Sequence, residues 1–443
     1  MIEIKAIGGY NEVGKNMTAL KVDDEVIIFD MGLHMEKYIK YADAEDIVNI
    51  NVQELISEGA IPNIKSLGVW SDKVIAIIPT HAHLDHLGAI PYLAGFFDAK
   101  ILGTPFTLAV LRQILKSEKI KLKNRIVQLN PNSRHRLSEN IEIEFIHMTH
   151  STPQTVMVAA HTKHGTVVYA NDFKFDLYPT LGDKPNFRRL AELGEEGITA
   201  LIVDSTYAKD HRKMPSESVA RELLKDVLLG TNSSGKAVIL TTFSSHIARL
   251  KSIVELGRKM GRKVIFLGRS LSKYVDAAEE VGLAKFSGQV EAVKFSKNIK
   301  RRLKKLMDEG TEKYLLVVTG HQGEPKAVLS KMASQDFGFR FSYEDHVVFS
   351  CTVIPTPTNR MNRERLEAAI KASGARIFRD IHVSGHAARE DIRDLINFLK
   401  PENIIPAHGD TGMTSALCEL AEEMGYKANK TVHILRNGNL FKL

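Results

Sequence analysis

Six consecutive positions, His81-Ala82-His83-Leu84-Asp85-His86, carry four side chains able to hold a divalent cation, and they follow directly on the apolar run "VIAIIP". Side chains two apart in an extended segment point the same way, so His81 and His83 can share one ion. Asp85 and His86, one turn further on, are placed to face a second. Imidazole and carboxylate without thiolate suit zinc and tolerate manganese. Packing gives no reason for four such groups in six residues, which sets aside a turn of backbone-satisfied histidines. Two close ions also need a bridging carboxylate and further imidazoles, and His150, Asp172 and His408 each end a later strand-like run. Singly, each is as well explained by a backbone hydrogen bond or a turn; together they complete a two-ion donor set.

The chain that must position these groups has 443 residues, 44% of them hydrophobic, enough for two domains. Residues 1–205 read as short strands, among them "IEIKAIG", "MTALKV", "EVIIFD", "IEIEFIH", "TVVYAND" and "ALIVDST". From 206 to 360, helix and buried strand alternate, as in "SESVARELLKDVLLG", "AVILTTF", "HIARLKSIVELGRKM" and "KVIFLG", the pattern of βαβ units around a mainly parallel sheet. Residues 361–443 return to short strands with polar ends. An α/β unit is therefore expected as an insertion into a mainly β sandwich. Polar clusters repeatedly follow apolar strands, as at "MTHSTP", "NDFKFD", "DSTYA", "HVSGH" and "PAHGD", which points to one shared cleft.

Two cysteines, Cys351 and Cys418, exclude a disulfide framework and a cysteine-rich zinc module. The apolar runs fall short of the roughly 20 residues of a membrane span, and the N-terminus has no signal pattern, so a soluble cytoplasmic protein is expected. The net charge of +7 is concentrated in "KSEKIKLKNR" (116–125) and "KNIKRRLKK" (297–305), which either attract a polyanion or form solvated faces.

"HAHLDH", His150, Asp172 and Asp30 in "VIIFDMG" resemble the motif series of the metallo-β-lactamase superfamily. Glu217 in "PSESV", His386 in "HVSGHA" and His408 in "IPAHGD" resemble the added motifs of its β-CASP nucleic-acid-processing group. Within that group, "GGYNEVGKNM", "TTFSSHIARL", "LGRSL", "VTGHQGEP" and "HVSGH" are most similar to the ribonuclease J family, in its compact archaeal type. The resemblance implies a metallo-β-lactamase αββα sandwich with an inserted β-CASP α/β domain. It implies two zinc ions per chain, with manganese or magnesium as substitutes: His81, His83 and His150 on one, Asp85, His86 and His408 on the other, Asp172 bridging, and Asp30 supporting the ligand loop.

Two such ions lower the pKa of a water and neutralise charge on a phosphate, and Asp85 is counted among the catalytic groups as well as the ligands. His386 is the expected acid for the leaving oxygen, with Glu217 orienting its imidazole. For Glu217, at a helix start, compensation of the helix dipole is the plain competitor. The small residues of "TGHQGEP" and "HVSGH" suggest a 5′-phosphate pocket from Gly320, Gln322, Gly323, His382, Ser384 and Gly385. Ser244, Ser245 and Ser350 end further strands and bind phosphate or cap helices.

The expected activity is 5′-to-3′ exonucleolytic hydrolysis of single-stranded RNA, with 5′-monophosphate ends preferred and endonuclease action as a second mode. A homodimer is expected from the resemblance alone. Three readings compete. The β-CASP endoribonucleases of messenger-RNA 3′-end processing typically carry Phe-Ser-Ala-His where this chain has "VSGH". A thioester or lactam hydrolase leaves the inserted unit and His386 unexplained, and a non-catalytic RNA-binding subunit has no need of an intact ligand set.

Overall fold

A computed structural model describes residues 1–44 and 51–443. Two compact units divide the chain: residues 1–177, 183–214 and 385–443 form one, residues 178–182 and 215–384 the other. The first is a sandwich of two sheets. One contains, in spatial order, Leu440–Lys442, Ile2–Gly8, Met17–Val22, Glu25–Phe29, Val74–Ile78, Lys100–Gly103 and Ile126–Gln128. The other contains Asn403–Ala407, Ala200–Asp204, Gly165–Ala170, Val156–Thr162, Ile141–His147 and Arg134–Arg136. Their β-branched and aromatic residues suit a pleated, buried surface. Ile27, Phe29 and Ile78 of the first sheet meet Phe145, Val158, Tyr169 and Ile405 of the second in a common core. Helices Phe187–Glu196, Arg389–Leu399 and Thr411–Glu423 cover the outer side of the second sheet with Leu190, Leu193, Ile392, Leu395 and Leu417. Helix Pro105–Glu118 was hidden from a reading of this unit as mainly β, because its apolar stretch "FTLAVL" has no clear helical stripe.

Strand polarity gathers the polar clusters. Glu25–Phe29, Val74–Ile78 and Lys100–Gly103 run parallel, as do Gly165–Ala170, Ala200–Asp204 and Asn403–Ala407. Asp30, the 80–86 segment, Asp172, Asp204 and His408 therefore all stand at C-terminal strand ends. At three of them the chain turns through a left-handed residue that is not glycine: Asp30 (φ 57°), Asp172 (φ 54°) and His408 (φ 52°). Each such turn costs on the order of 1 kcal/mol, strain of the kind that surrounding structure must hold in place.

The second unit is built on six parallel strands in the order Val290–Val293, Lys263–Leu267, Tyr314–Val318, Val238–Thr241, His346–Phe349, Arg376–Phe378. From the two central strands the chain departs in opposite directions, so a crevice opens beyond Thr241 and Val318. The sequence texture ends this insertion at 360, but the unit reaches Ser384. Arg376–Phe378 pairs with His346–Phe349, and helix Pro357–Ala372 buries Leu366 and Ile370 in the same core. At its start the unit runs from Pro215, not 206, and takes in residues 178–182, where Ser216 Oγ donates to the Tyr178 carbonyl at 2.8 Å.

One buried carboxylate ties strands of the second sheet to the helix Phe187–Glu196 that covers it, away from the strand ends. Glu144 accepts from Arg189 Nε (2.7 Å) and pairs with His161 (2.8 Å) and Arg134 (3.1 Å). Burial raises its pKa, but those partners outweigh it and bring the carboxyl down to about 2. A depressed carboxylate stabilises the fold above its unfolded pKa of about 4.3 and loses that contribution as pH falls. Glu144→Gln should therefore lower the unfolding free energy of this unit by about 1.5–3 kcal/mol at neutral pH. In urea titrations the gap to wild type should narrow between about pH 5 and pH 2.

Candidate metal centre

The loop Pro79–His83 and the short helix Leu84–Leu87 present the 81–86 side chains at the sheet edge. Donor atoms of His81, His83, His150 and Asp172 lie within 4.8 Å of one another, and so do those of Asp85, His86 and His408. Asp172 reaches both sets: its Oδ2 is 3.4 Å from His81 Nε2, 3.5 Å from His150 Nε2 and 3.3 Å from His86 Nε2, and its Oδ1 is 3.4 Å from His408 Nε2. Asp85 Oδ2 stands 3.7 Å from His86 Nε2 and 3.6 Å from His408 Nε2.

The rings are aimed by acceptors that fix where each proton sits. His150 Nδ1 donates to the Gly385 carbonyl at 2.7 Å, and His86 Nδ1 to Asp30 Oδ2 at 2.7 Å, so in both Nε2 faces the cluster. Asp30 is itself fully buried, accepting from the Thr80 N–H (2.8 Å), the Thr80 hydroxyl (3.0 Å) and the Tyr169 hydroxyl (3.0 Å). Tyr169 stacks on Phe29 in the sandwich core, so packing positions the carboxylate that positions His86. The "GGYNEVGKN" segment rims the site as its residue types suggest. Asn16 Nδ2 donates to the Asp85 carbonyl (3.1 Å) and lies 3.0 Å from His86 Nε2, and the Gly14 N–H faces His408 Nδ1 at 3.3 Å.

Burial pulls His81, His83 and His150 downward, the latter two well below the ordinary imidazole range, which leaves neutral donors. Burial opposes charge on His86 too, but Asp172, Asp30 and Asp85 outweigh it and hold its pKa well above the ordinary value. Burial likewise works against ionised Asp85 and Asp172, yet His86 and His408 keep both below the usual carboxylate range. Asp172 Oδ1 is buried and makes no hydrogen bond among the described residues. A lone pair left bare beside converging imidazoles fits a cation-bridging carboxylate, since a buried oxygen without a partner costs about 1–3 kcal/mol.

His386 stands at the rim, its Nε2 3.8 Å from Asp172 Oδ2. Its orienting partner is Asp204, not Glu217: His386 Nδ1 donates to Asp204 Oδ2 at 2.8 Å, while Thr206 N–H and Oγ1 bind Asp204 Oδ1, each at 2.8 Å. Burial opposes protonation of His386, but the Asp172 and Asp204 carboxylates outweigh it and push its pKa up to about 9. Glu217 serves the inserted unit instead, where both its oxygens bind the fully buried Arg249 (2.5 and 2.7 Å) and His246 lies 3.3 Å away. It is an ion-pair partner in a helix's first turn, beyond mere dipole compensation. Donor atoms of Asp204, His386, His408 and Asp172 also lie within 4.8 Å of one another, which makes Asp204 and His386 a rival ligand pair on geometry alone.

The other sequence candidates lie in the inserted unit, mostly at the C-terminal edge of its sheet. Gly320 (φ 117°) and Gly323 (φ 79°) shape the turn after Val318, and a Cβ on Gly323 would meet the Asn362 backbone at 2.5 Å. Gln322 holds loops together: its amide donates to the Thr352 carbonyl and accepts from Ile354 N–H, both at 2.9 Å. Ser350, fully buried, donates to the Ile381 carbonyl (2.8 Å) and accepts from Arg249 (2.7 Å). Ser244 shares a hydrogen bond with Ser270, and the cap of helix Ile247–Lys259 is His246, not Ser244 or Ser245. His382 lies beside Phe243 and 3.4 Å from Arg249 Nη1, and Ser384 is buried. Gly385 belongs with the ligand cluster, its carbonyl holding His150 and its Cα so close to Ser151 that a Cβ would stand 2.7 Å from the Ser151 nitrogen.

Residues 10–218 match the model of the metallo-beta-lactamase superfamily, residues 235–388 that of the ribonuclease J beta-CASP domain, and residues 375–434 that of the Zn-dependent metallo-hydrolase RNA specificity domain. A ribonuclease J of Methanocaldococcus jannaschii is 44% identical over 99% of this chain and 98% of its own. One of Pyrococcus abyssi is 43% identical over 100% and 97%. Ribonuclease J 1 of Streptococcus pyogenes is 30% identical over 100% of this chain and 74% of its own. A crystal structure of a protein of unknown function from Enterococcus faecalis V583 shares the fold, with a TM-score of 0.65 and 15% identity over the full length of both chains.

Asp172→Asn should reduce bound metal at both subsites, read by elemental analysis of the purified chain. Asp204→Asn should leave metal content unchanged, lower kcat about 10- to 100-fold, and move the alkaline limb of the kcat profile to lower pH as His386 loses a neighbouring charge. Loss of metal in the Asp204 variant would instead make that pair ligands.

Proposed function

The chain belongs to the ribonuclease J family and is a metal-dependent ribonuclease, and from that premise we propose that it degrades single-stranded RNA from the 5′ end in the 5′-to-3′ direction, preferring 5′-monophosphate ends. We assign two zinc ions to the buried donors, His81, His83 and His150 on one side of Asp172 and Asp85, His86 and His408 on the other. Bound there, a pair of divalent cations supplies an acidified water and Lewis acidity towards the scissile phosphate. The observation that carries the reading is the position of Asp172 between the two sets, with His81, His150 and His86 near Oδ2, His408 near Oδ1, and Oδ1 making no hydrogen bond among the described residues.

The chain's own groups do the remaining work. Asp30 and the Gly385 carbonyl hold His86 and His150 with Nε2 inward, so the donor atoms are ordered before any cation arrives. Asp204 holds His386 so that Nε2 faces the cluster and keeps its proton through neutral pH. That proton is in position to pass to the 3′-oxygen as it leaves, and Nε2 recovers it from solvent afterwards. Burial of His81, His86 and Asp172 excludes bulk water from the donors. We place the 5′-phosphate at the turns around Gly320 and His382–Ser384, and extend the reading to a cytoplasmic homodimer, which sedimentation of the full chain tests.

The decisive assay uses internally and end-labelled RNAs that carry a 5′-hydroxyl, monophosphate or triphosphate. Mononucleotides released progressively from the 5′ end, fastest from the monophosphate, are expected. Products from internal cuts alone, indifferent to the 5′ group, would make the enzyme an endonuclease. His386→Ala should lower kcat at least 100-fold with near wild-type metal content.

A further inference from the structure

The two basic runs of the sequence meet different fates in the structure. In helix Ser296–Glu309, Arg302 is engaged by Glu291 and Glu309 and Lys305 by Glu309, which neutralises part of the run and leaves Lys297, Lys300, Arg301 and Lys304 without an ion pair among the described residues. The run at 116–125 has no such neutralisation. Among the described residues no carboxylate lies within ion-pair distance of Lys116, Lys119, Lys121, Lys123, Arg125 or nearby Lys100. Helix Pro105–Glu118 ends at Lys119 in the left-handed conformation (φ 56°), and beyond it exposure alternates: Lys121, Lys123 and Arg125 are exposed, Leu122, Asn124 and Ile126 half-buried. Three exposed cations thus stand at alternate positions of this stretch.

Their backbone is pinned. Asn124 Nδ2 lies 3.1, 2.9 and 2.9 Å from the carbonyls of Ala94, Phe97 and Ala99, and the Ile101 N–H donates to the Arg125 carbonyl at 2.9 Å. Asn124 Oδ1 is buried and makes no hydrogen bond among the described residues. Lys100, Lys123 and Arg125 line a cleft of about 490 Å³ whose two carboxylates are Glu25 and Asp98, the former already bound by Ser138 and Asn140. The register Ala76↔Lys100 and Ile101↔Ile126 puts this cleft at the N-terminal ends of the parallel strands, the opposite end from the metal-ligand cluster.

We propose that Lys121, Lys123 and Arg125, with Lys100, form a second RNA-holding track on the edge of the sandwich, remote from the metal cluster, which takes the phosphate backbone of long single strands. Lys121 and Lys123 precede a bend at Asn124 and Arg125 follows it; alternate side chains stand no more than about 6–7 Å apart, on the order of one nucleotide of an extended strand, so the exposed cations can meet neighbouring phosphates. The track reads charge and spacing without base identity. It rests on the ribonuclease reading above. Its structural rival is edge protection, because lysines at the margin of the edge strand Ile126–Gln128 also deter sheet-to-sheet association.

The test compares wild type with the triple variant Lys121→Gln, Lys123→Gln, Arg125→Gln, as full chains. Substrates are 5′-monophosphorylated single-stranded RNAs, one of about 5 nucleotides, confined to the metal cluster, and one of about 40, able to reach the track. In the variant, KM for the long RNA should rise several-fold, and the slope of log affinity against log salt should flatten by about 2, at roughly 0.7 per phosphate contact for three cations. Turnover of the short RNA should match wild type. An unchanged KM and salt slope on the long RNA, with or without aggregation of the variant, would overturn the track in favour of edge protection. Failure of wild type to cut either RNA from its 5′ end would instead strike the 5′-to-3′ reading, and the track with it.

Discussion

Everything at the strand ends answers to a single constraint: the Asp172 carboxylate, 1% exposed, is surrounded by imidazoles, and its Oδ1 makes no hydrogen bond among the described residues. A buried carboxylate in that setting is tolerable only if positive charge compensates it. In the polypeptide alone, His86 and His386 do so by holding protons, which their raised pKa values express. Divalent cations would take over that role at His86 and release it as a neutral donor, while Asp204 still supports the proton on His386. The same negative charge that makes the site costly is what makes it selective for cations.

The fold meets this constraint through polarity and strain. Parallel strands from both sheets deliver Asp30, the 81–86 run, Asp172, Asp204 and His408 to one edge. Three of these residues sit in left-handed backbone, a conformation that needs the sandwich behind it. Tyr169 shows the coupling in one side chain: its ring stacks on Phe29 in the core, and its hydroxyl holds the carboxylate that aims His86.

How much of this was legible in sequence followed from the range of each interaction. The 81–86 run needed only local spacing to be read as a group of candidate donors, and the motif resemblance added His150, Asp172 and His408, whose donor atoms the fold brings close to that run. Pairings across long separations carry no such local pattern. Asp204 and His386 are 182 residues apart, and the acid at the end of "ALIVD" looked like one more strand terminus, so its place went to Glu217. The clue was present, since Asp204 ends an apolar strand as Asp30 follows one. Gln322 and Ser350 show the opposite limit: small polar residues in a turn look alike whether they bind a ligand or a neighbouring loop, and the hydrogen bonds these two make run to neighbouring loops. The end of the insertion was set too early because strand Arg376–Phe378 is three residues long and is defined by its pairing with His346–Phe349, not by periodicity.

Anomalous diffraction at the zinc edge from crystals of the full chain grown with zinc tests the central claim most directly. Two peaks about 3.5–4 Å apart, one on each side of Asp172, are predicted, the first contacted by His81, His83 and His150 and the second by Asp85, His86 and His408. A single peak, or a second one bonded to His386 and Asp204, would contradict the account of Asp172 as the bridge and of His386 as the proton donor.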